Sequence, residues 1–227
     1  MAAGEGSRLR PLTEVWPKPI LPIDGRPVIA TLLRELSAAG LTRVTLVTGH
    51  LAEQLEVLIG DGSGFGVDVR AVRQPRPDGS ADAVRTALDG GASTPAIVVV
   101  ADTVYVPGEI ARFAAAFAGS RADGAVAVRA EPDPDRPEVD FEPDGRVIRL
   151  LDDTGTPLAS AALWGLGPTV AGQLDGLRGP PYELAEAYQR ALDRGATVIA
   201  VEVGPTRDLT HSVDLIRENF TYLSKET

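Results

Sequence analysis

Residues 4–29 read GEGSRLRPLTEVWPKPILPIDGRPVI, a loop rich in glycine, arginine and proline that starts close to the first residue. Gly4 and Gly6 allow backbone conformations that turn N–H groups toward an anion, and Ser7 adds a hydroxyl. The spacing lacks the Gly-Lys-Ser/Thr of a Walker A loop and the third glycine of a dinucleotide fingerprint. The loop alone therefore indicates a phosphate-binding turn and leaves an ordinary surface turn open.

The only lysine outside the C-terminal tail lies in this stretch. Of the 22 basic residues in the chain, Lys18 and Lys225 are lysines and the others are arginines. Arginine presents a planar fork, whereas lysine presents a compact charge that can reach a single phosphate oxygen. We therefore interpret position 18 as a site that needs an ammonium group, with chance as the alternative.

Composition limits the class of protein. A chain of 227 residues with 44% apolar residues suits one globular domain with a full core, or two small ones. A net charge of −10 argues against non-specific nucleic-acid binding, and the absence of cysteine excludes disulfides and thiolate catalysis. His50 and His211 are too few for a histidine-rich metal site. With no apolar run long enough for a bilayer and no signal-peptide pattern, we expect a cytoplasmic protein that binds neither nucleic acid nor membrane.

Strand-like and helix-like patterns alternate along the chain. β-Branched runs predict strands at 43–48, 67–72, 96–101, 124–129 and 197–203. Apolar residues three and four apart predict helices at 27–39, 51–59, 80–89, 107–118, 181–194 and 212–223. Residues 137–166 break the alternation and predict a hairpin with a Pro-Asp-Gly turn and a further strand. The order predicts an α/β fold, a Rossmann-like three-layer sandwich with a mostly parallel, mixed central sheet.

The continuation of the loop, RLRPLTEVWPKPILPIDGRPVI, resembles the signature of the sugar-nucleotidyltransferases, also called NDP-sugar pyrophosphorylases. Later stretches are similar to further motifs of that family in the same order: GDGSGFGVDV, QPRPDGSADA, VADT, VDFEPDGRV and RDLTHSVDLIREN. The resemblance implies a single nucleotidyltransferase domain over 1–227, with a nucleotide and metal half at 1–130 and a sugar-phosphate half at 131–227. It also implies nucleotidyl transfer from an NTP to a sugar 1-phosphate, with release of pyrophosphate.

The same resemblance implies roles for individual residues. Arg8 and Lys18 are expected to be catalytic, because transfer between two phosphates depends mainly on positioning and charge neutralisation. The expected nucleotide-binding residues are Ala3, Gly4, Gly6, Ser7, Gln74, Gly79 and Ser80. Asp102, which follows an apolar run, and Asp208 are expected to hold Mg²⁺. Both aspartates leave an alternative open, a turn cap for Asp102 and a helix-capping residue for Asp208.

The resemblance leaves open which nucleotide base is bound and whether the protein forms a homo-oligomer. The QPRPDGSADA segment is closer to family members that use UTP or dTTP than to guanylyltransferases, and adenine stays open. The expected partners are an NTP and a sugar 1-phosphate, and a homo-oligomer stays open. A dinucleotide-dependent oxidoreductase on a similar sheet is the alternative from another class, and it lacks the third glycine of its fingerprint.

Two departures from the family pattern raise further expectations. Family members begin with a short apolar strand, whereas only Met1, Ala2 and Ala3 precede the loop here. Because the loss of a central strand leaves its neighbours unpaired, we expect a natural start further upstream, a truncated product, or another segment in its place.

The family's Glu-Lys-Pro motif is replaced by LDDTGTP at 151–157. Either the sugar phosphate is bound differently, or the chain is a weak or inactive paralogue that binds nucleotides for regulation.

Overall fold

The computed structural model describes residues 1–130, 137–150 and 158–220. Within these ranges the chain forms two compact units. The first unit consists of Met1–Pro77, Val100–Gly108 and the segment from Thr206, and the second of Asp78–Val99 and the segment from Glu109 to Pro205. The LDDTGTP stretch and the last three residues of the helix predicted at 212–223 lie outside the described residues.

Short and medium-length elements make up both units. The strands are β1 (Pro22–Ile23), β2 (Arg26–Pro27), β3 (Arg43–Thr48), β4 (Asp68–Arg73), β5 (Ala96–Val99), β6 (Thr103–Val104), β7 (Gly124–Arg129), β8 (Asp140–Phe141), β9 (Val147–Arg149), β10 (Ala159–Leu166), β11 (Val198–Glu202) and β12 (Arg207–Asp208). The α-helices are α1 (Leu12–Val15), α2 (Val28–Ala38), α3 (Ala52–Ile59), α4 (Ser80–Asp89), α5 (Glu109–Gly119), α6 (Pro168–Ala171), α7 (Leu184–Leu192) and α8 (Ser212–Asn219). Short 3₁₀ turns lie at Ser7–Leu9, Lys18–Ile20 and Ser63–Phe65.

In the first unit, Met1, Ala2 and Ala3 form backbone hydrogen bonds beside the parallel strand pair β3–β4. β3 pairs in parallel with β4, and Ala2 forms a parallel bridge with Thr48 at the end of β3. The amide of Ala2 donates to the carbonyl of Val47 at 2.8 Å, and the amide of Ala101 donates to the carbonyl of Met1 at 2.9 Å. These residues therefore satisfy backbone groups on two neighbouring segments, at the place where the sequence predicts a missing strand.

Apolar residues from separate parts of the first unit form one buried cluster. Its fully packed members are Leu9, Leu21, Ile23, Val28 and Leu209, and Val104 and Leu215 pack against them. The cluster joins the residues after the opening loop to the segment that carries β12. Burying side chains of this size stabilises the fold by about 1.5–3 kcal/mol each. The cluster therefore anchors the opening loop, through Leu9, to the rest of the first unit.

In the second unit, a four-stranded mixed sheet has the order β11-β7-β10-β5 among the described residues. β11 runs parallel to β7, whereas β10 runs antiparallel to both β7 and β5. All eight residues of β10 are buried, which fits its long apolar run and central position. The β8–β9 hairpin, with its turn at Gly145, bonds to β11 through the Ala200 amide and the Gly145 carbonyl at 2.8 Å.

The sequence predictions of fold class and elements are confirmed. The structure has the predicted mixed α/β architecture, and β3, β7 and α4 have the predicted bounds. The antiparallel interruption and its Pro-Asp-Gly hairpin are also present. The strand predicted at 96–101 ends earlier, at Val99, because Ala101 bonds to Met1 instead of continuing the β5 ladder.

The central strand β10 carries a strained residue. Ala162 has φ of 56°, and the register of β10 against β7 shifts between Ser160 and Trp164. A left-handed conformation costs a residue with a Cβ atom roughly 1–2 kcal/mol. The bulge is therefore held by the surrounding sheet and not by the local preference of alanine.

We expect Ala162→Gly to leave the free energy of unfolding unchanged or raised, because glycine removes the left-handed strain. Ala161→Gly is the matched control, since Ala161 is equally buried and has no positive φ. It should lower the free energy of unfolding by about 0.5–1 kcal/mol through the greater entropy of the unfolded chain. Urea unfolding of both variants measures the difference, and equal losses would contradict the strain at Ala162.

Candidate active site

The opening loop is shaped by a tight contact at Gly6. Gly6 has φ of 62°, and a Cβ atom there would lie 2.9 Å from Cγ2 of Thr13 and 3.3 Å from Cβ of Lys18. The Thr13 hydroxyl donates to the Gly6 carbonyl at 2.9 Å. The left-handed residue is followed by the 3₁₀ turn Ser7–Leu9, and such an alternation directs consecutive N–H groups into one concavity. The glycine is therefore required by both backbone angle and space.

The two arginines of the loop have different surroundings. Arg10 donates to Glu5 at 3.0 Å, and both side chains are about half exposed. Arg8 lines a cavity in the first unit, whereas Arg10 does not. Leu9, between them, is buried in the apolar cluster. Burial of Leu9 fixes the position of the turn. Arg8 therefore lies at the cavity, whereas Arg10 pairs with Glu5 away from it.

Lys18 forms an ion pair with Asp102. The Nζ atom of Lys18 lies 2.5 Å from Oδ2 of Asp102, and the two side chains are 16% and 18% exposed. Asp102 also accepts a hydrogen bond from the Thr103 hydroxyl through Oδ1, at 3.1 Å. Lys18 begins a 3₁₀ turn between two buried prolines, Pro17 and Pro19. The partly desolvated pair joins two sequence-predicted site residues that lie 84 positions apart.

Asp208 lies on β12, beside the residue that follows Asp102. β12 pairs with β6 so that Asp208 is opposite Thr103, and Oδ1 of Asp208 accepts a hydrogen bond from the Thr210 hydroxyl at 2.9 Å. Helix α8 begins at Ser212, and the carboxylate of Asp214 accepts from the amides of Thr210 and His211. His211 is the N-cap residue of this helix and forms a capping box with Asp214, so Asp208 is not the helix cap.

A charged clamp holds β12 in place. Arg207 donates two hydrogen bonds to Asp24, at 2.6 and 3.0 Å, and also bonds to the carboxylate of Glu218 on α8. The hydrogen bond from Arg207 holds the pKa of the Asp24 carboxyl below its ordinary value. Hydrogen bonding to Asp24 in turn raises the pKa of Arg207. The clamp ties the β1–β2 turn to the strand that carries Asp208.

These segments surround a cavity of ≈ 250 Å³ in the first unit. Its lining residues are Met1, Ala2, Gly4, Gly6, Ser7, Arg8, Leu9, Lys18, Pro19, Val100, Ala101, Asp102 and Thr210. The charged side chains among them are two cations and one carboxylate, which gives the lining a net positive charge. A cavity below the roughly 300–1,000 Å³ of whole-ligand pockets suits the phosphate end of a ligand.

The structure brings six of the sequence-predicted residues to this cavity. They are Gly4, Gly6, Ser7, Arg8, Lys18 and Asp102. Ala3, Gln74 and Asp208 also belong to the first unit but do not line the cavity. Ala3 instead accepts a hydrogen bond from the His50 amide, and the Gln74 amide donates to the Thr48 carbonyl at 2.8 Å.

Gly79 and Ser80 belong to the second unit, at the start of α4. Gly79 has φ of 112°, and a Cβ atom there would collide with the backbone of Tyr182. The Ser80 hydroxyl donates to Glu183 at 2.6 Å and accepts from the Leu184 amide at 2.7 Å. These contacts join the start of α4 to the start of α7, so both residues have a structural role within their unit.

The residues present suit a divalent cation of the Mg²⁺ type. The described ranges contain no group of three or more acidic, histidine or cysteine residues that could hold a metal ion by themselves. Mg²⁺ is commonly bound by one or two carboxylates together with phosphate oxygens and water. Asp102 and Asp208 provide oxygen donors of that kind on adjacent backbone segments. They could hold such an ion in company with a phosphate ligand.

Thr210 is a polar side chain at the cavity that sequence reasoning missed. A threonine just before a helix is typical of a capping position, so the sequence contains no signal that separates it from an ordinary cap. His50 has a structural contact, since its Nε2 atom donates to the Thr13 carbonyl at 2.6 Å. None of the helices in the described part of the chain has the length and apolar character needed to cross a membrane.

Comparison with known proteins identifies the relatives of this chain. The family model described as "Nucleotidyl transferase" matches residues 1–153. The chain is 27% identical, over 96% of its length, to the low-salt glycan biosynthesis nucleotidyltransferase Agl11 of Haloferax volcanii. It is 28% identical, over 98% of its length, to a glucose-1-phosphate thymidylyltransferase of Streptomyces antibioticus. The chain spans 64% and 65% of the lengths of these two relatives.

A solved structure shows the same fold. The UDP-glucose pyrophosphorylase from Acinetobacter baumanii superposes with a TM-score of 0.79. The alignment covers 100% of this chain and 93% of that one, at 22% sequence identity. Similarity at this level of identity supports the fold class described above.

We expect Gly6→Ala to lower the free energy of unfolding by about 1–2 kcal/mol, because alanine is strained at this backbone angle. The added Cβ atom would also press against Thr13. Gly4→Ala is the matched control, since its Cβ atom would meet nothing within 4 Å and Gly4 has no positive φ. Thermal and urea unfolding test both variants. A stable Gly6→Ala protein would show that the loop conformation is not fixed as described.

We expect the Asp24–Arg207 contact to stabilise the protein above the ordinary Asp pKa of 3.8 and to lose its effect in acid. Asp24 has a lowered pKa when folded, so the stabilisation disappears as the pH falls through that folded pKa. The difference in unfolding free energy between wild type and Asp24→Asn should be about 0.2–1 kcal/mol at pH 7, because the pair is largely exposed. It should shrink progressively as the pH falls below 3.8, and it should also shrink at high salt. A difference that grows in acid would contradict the assignment.

Proposed function

Because the chain belongs to the nucleotidyl transferase family, we propose that it transfers a nucleotidyl group from an NTP to a sugar 1-phosphate and releases pyrophosphate. The observation that carries the proposal is the cavity where Arg8, Lys18 and the Gly4–Ser7 backbone meet Asp102. Two cations and a turn of amide groups suit a phosphate chain better than a neutral ligand. The proposal extends to the whole chain as one nucleotidyltransferase domain, with a nucleotide and metal half at 1–130 and a sugar-phosphate half at 131–227.

The proposed reaction joins two anions. An oxygen of the sugar phosphate forms a bond to the α-phosphorus of the NTP, and the bond from that phosphorus to the bridging oxygen breaks. The electron pair leaves with pyrophosphate. Little proton chemistry is needed, so the residues contribute mainly by holding the reactants in line and by offsetting negative charge.

Arg8 and Lys18 have separate parts in this proposal. Arg8 is exposed at the cavity and can offer two parallel donors to the departing pyrophosphate. Lys18 is partly buried and paired with Asp102, and its compact ammonium group can reach the α-phosphate or the sugar phosphate. Stabilisation of charge that develops in the transition state is commonly the largest catalytic term.

Asp102 and Asp208 are the residues that would hold Mg²⁺. A bound divalent cation would neutralise phosphate charge and help to align the reacting groups. The carboxylate oxygens of these two residues and the β6–β12 pairing that brings their segments together support this assignment. A cation held by so few protein ligands would depend on the nucleotide for its remaining contacts.

For the nucleotide, we propose UTP or dTTP. Support comes from the QPRPDGSADA segment and from the thymidylyltransferase name of the Streptomyces antibioticus relative. Gln74 is proposed to read the base through its side-chain amide. The nucleotide-binding roles of Ala3, Gly79 and Ser80, the cytoplasmic location and a homo-oligomer stay predictions from the sequence.

The test is pyrophosphate release with UTP, dTTP, ATP, GTP and CTP, each combined with a panel of sugar 1-phosphates. Turnover with UTP or dTTP supports the proposal in full, and turnover with ATP, GTP or CTP corrects the base. Measurable nucleotide binding without turnover for any pair would favour the regulatory paralogue suggested by the altered stretch at 151–157.

We expect Lys18→Met to lower kcat/KM by about 10²–10³-fold, the usual cost of removing a charge-stabilising donor. Lys18→Arg should also be impaired although it keeps the charge, because a planar guanidinium cannot take the place of a compact ammonium. Arg10→Met is the matched control, since Arg10 bonds to Glu5 outside the cavity and should keep wild-type turnover.

Unfolding curves must accompany these rates. Lys18→Met removes the Lys18 ammonium group from beside Asp102, and the loss of this partner from a partly buried carboxylate destabilises the fold. Lys18→Arg retains the charge and separates loss of function from loss of structure. Wild-type turnover in Lys18→Arg would contradict the requirement for an ammonium group.

A further inference from the structure

We propose that Thr210 is a positioning residue for the Asp208 carboxylate, and that its hydroxyl sets the affinity of the site for a divalent cation. The inference rests on the proposed function and adds a residue to it. The Thr210 hydroxyl donates to Oδ1 of Asp208 at 2.9 Å. Thr210 lines the cavity together with Arg8, Lys18 and Asp102.

Thr210 is the point at which its chain segment reaches the cavity. Among the described residues from Thr206 onward, Thr210 is the one that contributes to the lining. Asp208 lies two residues earlier, on β12, and contacts the hydroxyl of a residue that does face the cavity. The hydroxyl therefore connects the cavity wall to the carboxylate that the proposed function needs.

The backbone of Thr210 is fixed without the help of its hydroxyl. Its amide donates to Oδ2 of Asp214 at 3.0 Å, and the His211 amide donates to the same atom at 2.6 Å. On the other side, Leu209 is fully buried and Asp208 is paired with Thr103. Removing the hydroxyl should therefore leave the path of the chain unchanged, which separates a positioning role from a structural one.

A hydroxyl donor restricts the orientation of the carboxylate that accepts from it. Hydrogen bonds to metal-binding carboxylates typically change metal affinity or activity by about 10–100-fold when they are removed. With so few protein carboxylates at this site, the orientation of each one has a large effect on the cation. The proposal thus predicts an effect on cation affinity first, and on turnover as its consequence.

The second unit contains a bond of the same type that serves as a control. The Thr169 hydroxyl donates to Oδ1 of Asp123 at 2.6 Å, and the other oxygen of Asp123 accepts from the Thr197 amide at 2.9 Å. Neither Thr169 nor Asp123 lines the cavity. Thr169→Val removes the same chemical contact and should change stability without changing cation affinity.

The experiment measures Mn²⁺ binding to the full chain by electron paramagnetic resonance, in the presence of each of the five nucleotides. Thr210→Val, which keeps the shape of the side chain, should bind Mn²⁺ about 10–100-fold more weakly than wild type. Thr210→Ser restores the hydroxyl and should recover most of the affinity. Thr169→Val should match wild type in Mn²⁺ affinity, and urea unfolding of all three variants checks their fold.

A kinetic measurement on the same variants distinguishes this inference from the proposed function. In an active protein, Thr210→Val should need a higher Mg²⁺ concentration for half-maximal rate, and excess Mg²⁺ should restore much of kcat. Wild-type turnover with an unchanged Mg²⁺ requirement in Thr210→Val would overturn the proposed role of Thr210 and leave the proposed transferase function standing. Weakened Mn²⁺ binding in a protein without turnover would support Thr210 and count against the transferase proposal. Absence of Mn²⁺ binding to wild type with every nucleotide would overturn the inference.

Discussion

The backbone pairing of the first three residues is the constraint on which the site depends. Ala2 bonds to β3 through Val47, and Met1 accepts from Ala101, one residue before Asp102. These bonds fix where the opening loop begins, and the burial of Leu9 fixes where it returns to the core. A loop held at both ends can keep a left-handed glycine and a turn of amides in one arrangement, which a free surface loop cannot do at low entropic cost.

Local patterns were sufficient to predict most of the elements. β3 and α4 have the predicted bounds because a β-branched run and a 3.6-residue apolar period each depend only on neighbouring residues. The hairpin at Gly145 followed from its turn residues in the same way. The loop that approaches the cavity was also identifiable, because closely spaced glycines followed by cations are a local pattern.

Contacts between distant parts of the chain could not be predicted from such patterns. The Lys18–Asp102 pair spans 84 positions, and neither residue carries a local sign of its partner. The early end of β5 depends on a hydrogen bond to Met1, and the placement of Thr210 depends on β12 pairing with β6. The left-handed conformation of Ala162 was also not predictable, because the surrounding sheet imposes it against the local preference of alanine.

The Lys18–Asp102 contact has a consequence for the order in which ligands arrive. The Lys18 ammonium group pairs with Asp102 within one chain, so a divalent cation that binds Asp102 must displace a competitor of high effective concentration. Under the proposed function, a triphosphate would change that balance, since its oxygens would offer the ammonium group another anion and leave the carboxylate available. Under the proposed function, metal and nucleotide would then enter as one charge-balanced unit.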